Sequence, residues 1–171
     1  GHTIDKLTIT HAHARDLLGL FRQIFEGTIR DLGLEDTNIT GSGRIAGVLS
    51  ALAIGATVSG CHASGSISLT EASVIGGLLG ESDINSAVDR STASVDIAAP
   101  DAQDWQGTHS AVGGLIGISD ARVTQSYTNG NVIGGEKTRV GGLIGSVALT
   151  STIENSYALG SVSGGTSAHS G

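Results

Sequence analysis

The sequence predicts an all-β protein, a parallel β-solenoid (β-helix-like) of about five to six coils. Three observations predict it. A pair of short motifs recurs along the whole chain. Small residues dominate, with 27 glycines, 21 serines and 16 threonines among 171 residues. Apolar residues reach 39% but fall in short patches between glycines. Such a unit cannot bury its apolar side alone, whereas stacked copies can, each pairing its backbone with the copies above and below.

Val112-Gly-Gly-Leu-Ile-Gly117 and Val140-Gly-Gly-Leu-Ile-Gly145 are the clearest copies of the first motif, and Ile75-Gly-Gly-Leu-Leu-Gly80 is a third. Leu17-Leu-Gly-Leu-Phe-Arg22 and Ile45-Ala-Gly-Val-Leu-Ser50 are degenerate copies. Their central glycines, Gly19, Gly47, Gly77, Gly114 and Gly142, are spaced by 28, 30, 37 and 28 residues. The second motif follows each first one. It reads Val58–Ile67, Val88–Ile97, Val123–Val132 and Ile153–Val162, each with its aliphatic ends nine positions apart; Ile29–Ile39 is one residue longer. The chain therefore divides into repeats at about 1–16 (partial), 17–44, 45–74, 75–111, 112–139 and 140–171. Together they form one domain, expected to be a fragment of a longer solenoid.

The 37-residue spacing has a visible cause. Ile67 to Ile75 and Val132 to Val140 are eight positions, but Ile97 to Val112 is fifteen. The seven extra residues lie within an insertion loop, 98–111, that holds the only proline, Pro100, and the only tryptophan, Trp105. Loops inserted at one corner of a repeat stack are where such folds vary their function.

Residue types favour strand within each repeat, because the recurring Val, Ile, Thr and Tyr suit a pleated surface. Glycine is expected at positive-φ corners. Two aliphatic columns should point inward: Ile29, Val58, Val88, Val123 and Ile153, then Ile39, Ile67, Ile97, Val132 and Val162. Two small-residue columns should do the same: Leu32, Cys61, Ser91, Ser126 and Ser156, then Leu34, Ala63, Ala93, Thr128 and Ala158. Strand alternation sends Gly33, His62, Thr92, Tyr127 and Tyr157 outward. Thr124 is expected at an exposed corner. A competing pattern lies near the N-terminus. Leu17, Leu20, Phe21, Ile24, Phe25 and Leu32 fall near helical spacing, with Asp16 as a cap, so a short helix over 15–25 is the rival expectation to strand there.

The paired motifs, with Asn155-Ser-Tyr-Ala-Leu-Gly-Ser-Val-Ser-Gly164 as the fullest second half, resemble the GLUG motif. Arg22 and Ser50 depart from it where glycine usually closes the first half, and Ser91-Thr92 stands where Ser-Tyr is usual. The resemblance covers nearly the whole chain. It implies a non-enzymatic structural or adhesive segment of a large bacterial surface or secreted protein. Such proteins include filamentous-haemagglutinin-like adhesins and the non-catalytic regions of immunoglobulin A peptidases. It supplies no catalytic residue.

The residues themselves exclude several chemistries. Nine Lys and Arg against sixteen Asp and Glu give a net charge of −7, without the basic cluster that nucleic-acid binding requires. No apolar run approaches the ~18 residues of a membrane-spanning helix. No His-Glu-x-x-His and no Gly-x-Ser-x-Gly occurs, so the expectation is that this is not an enzyme. His11-Ala-His13 supplies only two metal ligands, and Cys61-His62 face opposite sides of a strand. No cofactor is expected: Asp83, Asp101, Asp104 and Asp120 read as a solvated surface, with a single calcium ion at one of them as the alternative. The candidate contact surface is Trp105 with Asp101 and Asp104, where an indole could stack on a sugar ring beside polar groups; the alternative is that Trp105 folds back and covers an edge of the stack. The column ending in Tyr127 and Tyr157 is a second patch. Partners are expected to be host-cell, matrix or glycan ligands and neighbouring domains, at an extracellular or bacterial cell-surface location. The alternatives are an accessory domain of a secreted peptidase or polysaccharide-degrading enzyme, and an ice-binding solenoid.

Overall fold

A computed structural model describes residues 1–13, 15–102, 110–165 and 169–170. Every described element is a β-strand, and every strand pair is parallel. The chain winds through four sheets in turn and returns to the first, making a β-solenoid of about five turns. The first face stacks Leu17–Leu18, Ile45–Gly47, Val74–Gly76, Ala111–Gly113, Arg139–Gly141 and His169–Ser170. The second stacks Phe21–Phe25, Ser50–Ile54, Leu79–Ser82, Ile116–Ser119 and Ile144–Val147. The third stacks Thr28–Arg30, Thr57–Ser59, Ala87–Asp89, Arg122–Thr124 and Thr152–Glu154. The fourth and widest holds Leu32–Ser42, His62–Glu71, Thr92–Ala98 and the paired short strands of the last two coils. His2–Asp5 and Thr8–Ala12 add a partial coil to that face.

The inward columns stand where the sequence puts them. Ile29, Val58, Val88, Val123 and Ile153 are in register on the third face. Ile39, Ile67, Ile97, Val132 and Val162 are in register on the fourth. The middle coils bury these side chains almost completely, whereas Ile153 in the last coil is 40% exposed. Inward packing needs a coil on both sides, and the terminal coil has one.

The small column makes a hydrogen-bond ladder as well as a core. Cys61 N–H donates to Ser91 Oγ, Ser91 N–H to Ser126 Oγ, and Ser126 N–H to Ser156 Oγ, at 3.1–3.2 Å. Each of those hydroxyls donates to the carbonyl two residues back, at Asp89, Thr124 and Glu154. The residue before each ladder position turns the corner with positive φ. These residues are Asp31, Gly60, Arg90, Gln125 and Asn155. Capturing the corner's orphan backbone groups offsets the strain of that conformation.

Four expectations are corrected. No helix forms over 15–25: Leu17–Leu18 and Phe21–Phe25 are strands. Leu20 and Phe21 N–H donate to Val48 and Leu49 carbonyls, groups that a helix would leave unpaired. The first two repeats are offset by one residue against the third, since Gly47 pairs with Gly76 rather than Gly77 while Leu17 still pairs with Ile45. The corners are mostly not glycine. Gly76, Gly113 and Gly141 are needed for close approach instead: a Cβ there would lie 2.0 Å or less from the carbonyl oxygen of Leu79, Ile116 or Ile144. Thr124 is buried, 8% exposed, because its hydroxyl turns to Asp89 Oδ1 at 2.7 Å.

The loop 98–111 also begins later than its bounds suggest. Ala99 N–H donates to Ile133 O, and Ala102 N–H to Glu136 O, so the chain keeps coil geometry to Ala102.

Candidate functional site

The fourth face carries the residues singled out for contact. Along Thr92–Ala98 the inward Ala93, Val95 and Ile97 are buried, while Ser94, Asp96 and Ala98 are exposed. That alternation presents one row of outward side chains per coil. Tyr127 and Tyr157 are in register at the start of the face. Their rings stack with centroids 5.2 Å apart and planes 6° from parallel. Each ring covers one side of the other, which leaves the outer side of Tyr157, 51% exposed, as the free aromatic surface. In the same outward column, His62 Nε2 meets Glu35 Oε1 at 3.3 Å.

A polar ladder runs beside the tyrosines. Asp96 Oδ1 accepts from the backbone N–H and the side-chain Nδ2 of Asn131, at 2.8 and 3.1 Å. Asn131 Oδ1 in turn accepts from Ser161 N–H and Oγ, at 3.2 and 2.7 Å. Carboxylate, amide and hydroxyl thus line up across three coils.

Asp101 lies beyond the far end of this face. Its Oδ1 accepts the Glu136 N–H at 2.8 Å, so it ties two coils together. The structure does not bring Asp101 and the tyrosine pair together, because Tyr127 pairs with Thr92 at one end of the strand while Asp101 follows its other end. Trp105 and Asp104 lie outside the described residues.

The remaining candidate ligands are dispersed. Asp83 accepts from Gly55 N–H at 2.9 Å and from Ser86 Oγ at 2.6 Å. Burial alone would raise its pKa, but these bonds and those from Asn85 prevail and hold its carboxyl below the usual range. His11 pairs with Asp16, and its ring meets His13 edge-on at 5.5 Å. Among the described residues, no three His, Cys, Asp or Glu side chains gather as a metal site requires. Cys61 is buried in the serine column, its Sγ near the carbonyls of Ser59 and Ile29, and burial pushes its thiol pKa up.

Sequence reasoning missed Glu81. It points outward on the second face, in register between Leu52 and Ile118. These residues, with Ile54, Asp83 and Asp120, line a cleft of about 300 Å³. Burial raises the Glu81 pKa; Arg44 opposes this and Asp120 adds to it. The available signal was the alternation of that strand, which sets a carboxylate between two aliphatic residues of adjacent coils.

Fold, register and ladders together define a parallel β-solenoid repeat protein. Within it, residues 138–163 match the family model of the GLUG motif. The matched stretch runs from the first-face strand Arg139–Gly141 to the fourth-face strand Val162–Ser163, so one motif is one full coil. This supports a GLUG-repeat protein. No curated protein matches the chain.

Proposed function

We propose that this chain is a non-enzymatic structural and adhesive segment of a bacterial surface or secreted protein. The observation that carries the reading is the division of labour within each coil. Inward and corner positions repeat, with the same aliphatic columns, the same serine ladder and the same positive-φ corner. Outward positions vary from coil to coil. A scaffold that keeps its packing while its surface changes suits spacing and contact more than chemistry. The outward polar ladder and the tyrosine pair offer hydroxyl-matching and apolar contact to a glycan or matrix protein.

The test is binding of the purified chain to immobilised glycans, matrix proteins and host cells. Binding reduced by Tyr157→Ala or Asn131→Ala supports adhesion through the fourth face. No binding, together with lost reach when the segment is deleted from its parent, leaves a spacer alone. An accessory role in a secreted peptidase or polysaccharide-degrading enzyme is the second reading. It rests on the same polar face, which could hold a polysaccharide for a neighbouring catalytic domain.

A further inference from the structure

A cleft of about 250 Å³ lies where the partial first coil meets the first full one. Its walls carry three kinds of group. Ile9, Leu17 and Leu18 are aliphatic, His11 and Asp16 form a hydrogen-bonded pair, and Arg22, in the strand Phe21–Phe25, supplies a guanidinium. Both sides are held in place by backbone. His11 is fixed by its register with Gly41, and the Asp16 carbonyl accepts the Arg44 N–H at 2.7 Å. The Arg22 side chain makes no hydrogen bond or ion pair with any described residue, so its guanidinium is free for a ligand.

We propose that this cleft binds a carboxylated sugar residue of a glycan. A free guanidinium is the group best matched to a carboxylate, which it grips through two parallel N–H···O bonds. The Asp16 carboxylate, oriented by His11, has lone pairs left to accept sugar hydroxyls. Ile9 and Leu17 supply an apolar wall for the C–H face of a ring. The volume is just below the ~300–1,000 Å³ of sites for drug-sized ligands, so it takes one ring rather than an oligosaccharide. The cleft is remote in sequence from the tyrosine pair and from the loop 98–111. The proposal names a ligand class for the adhesive reading and rests on it for its biological setting.

The experiment is a titration of the isotope-labelled chain, followed by NMR, with methyl glucuronide, the methyl glycoside of N-acetylneuraminate and neutral methyl glucoside. The expected result is saturable shifts at Ile9, Leu17 and Arg22 with one or both acidic sugars, and at least tenfold weaker binding of the neutral one. Arg22→Gln should weaken acidic-sugar binding at least tenfold and leave the spectrum elsewhere unchanged. Arg22→Lys, which keeps charge without the planar fork, should fall between. Equal binding of neutral and acidic sugars, unchanged binding in Arg22→Gln, or no shifts at millimolar ligand overturns the proposal. Adhesion of the whole chain that persists in Arg22→Gln would sink the cleft as its site while leaving the adhesive reading standing. Loss of all adhesion by the wild-type chain, with acidic-sugar binding retained, would do the reverse.

Discussion

Thr124 shows how one hydrogen bond decides which side of the wall a residue occupies. Its hydroxyl donates to Asp89 and its side chain is buried, one position after the core residue Val123. Val123→Asp should be severe, costing about 4 kcal/mol or more, because an unpaired carboxylate enters the stack. Thr124→Asp should also destabilise, by about 2 kcal/mol, since it loses the donor and sets a second carboxylate beside Asp89. Thermal unfolding of both variants checks this ranking; a Thr124→Asp chain as stable as wild type would refute its burial. Glu81 and Asp83 make opposite predictions for pH. The native state holds a proton on Glu81 more tightly than the unfolded chain does, because ionisation there meets buried surroundings. Its contribution to stability is therefore full below the usual Glu value and is lost as pH rises through the raised native one. Glu81→Gln should melt a few °C above wild type at neutral pH, and the gap should close on acidification. Asp83 is depressed in the native state, so its contribution is present above the usual Asp value and lost as pH falls. Asp83→Asn should melt lower than wild type at neutral pH and converge with it in acid. Melting curves across pH that run parallel for all three proteins would overturn both assignments.

Among the elements, the interruption after Thr92–Ala98 is the informative one. Ala99 and Ala102 still pair with the coil that follows, so the segment up to Ala102 belongs to the stack. Removing residues 103–109 returns Ile97 and Val112 to the eight-residue spacing of the other coils. That deletion should leave the fold intact, with a melting temperature within a few °C of wild type. Removing 98–102 as well should be far more damaging, because the pairing with Ile133 and Glu136 goes with it. Circular dichroism and melting of the two deletions separate the cases. If the shorter deletion keeps the fold and loses ligand binding, the loop that carries Trp105 is a recognition element. If it unfolds, that loop is structural.

For the whole molecule, stability should grade along the stack, because each coil contacts only its neighbours. The same substitution at two heights tests this. Ile97 is buried between coils on both sides, whereas Ile153 in the last coil is 40% exposed. Ile97→Ala should cost about 3–4 kcal/mol, and Ile153→Ala under about 1 kcal/mol. Chemical denaturation measures both; equal losses would mean that the stack does not behave as a chain of neighbours.

Much of this architecture was legible from the residues because a solenoid repeats its chemistry along with its geometry. The period, the parallel all-β class, both aliphatic columns and the inward serine column follow from recurrence alone, since a column recurs only where every coil meets the same surroundings. The tyrosine pair was legible in the same way, as two outward positions one period apart. Other features depend on groups that recurrence does not describe. The strand conformation of 17–25 is decided by the carbonyls of the next coil, which no local spacing reveals. The one-residue shift at Gly47 comes from backbone register, and the burial of Thr124 from a partner 35 residues away. Glu81 and the cleft beside Arg22 exist only once separate coils are brought side by side. Recurrence along the chain dictates what each coil must bury. Which unlike residues meet between coils is set by the stacking, because hydrogen-bond register and desolvation act across the stack rather than along the chain.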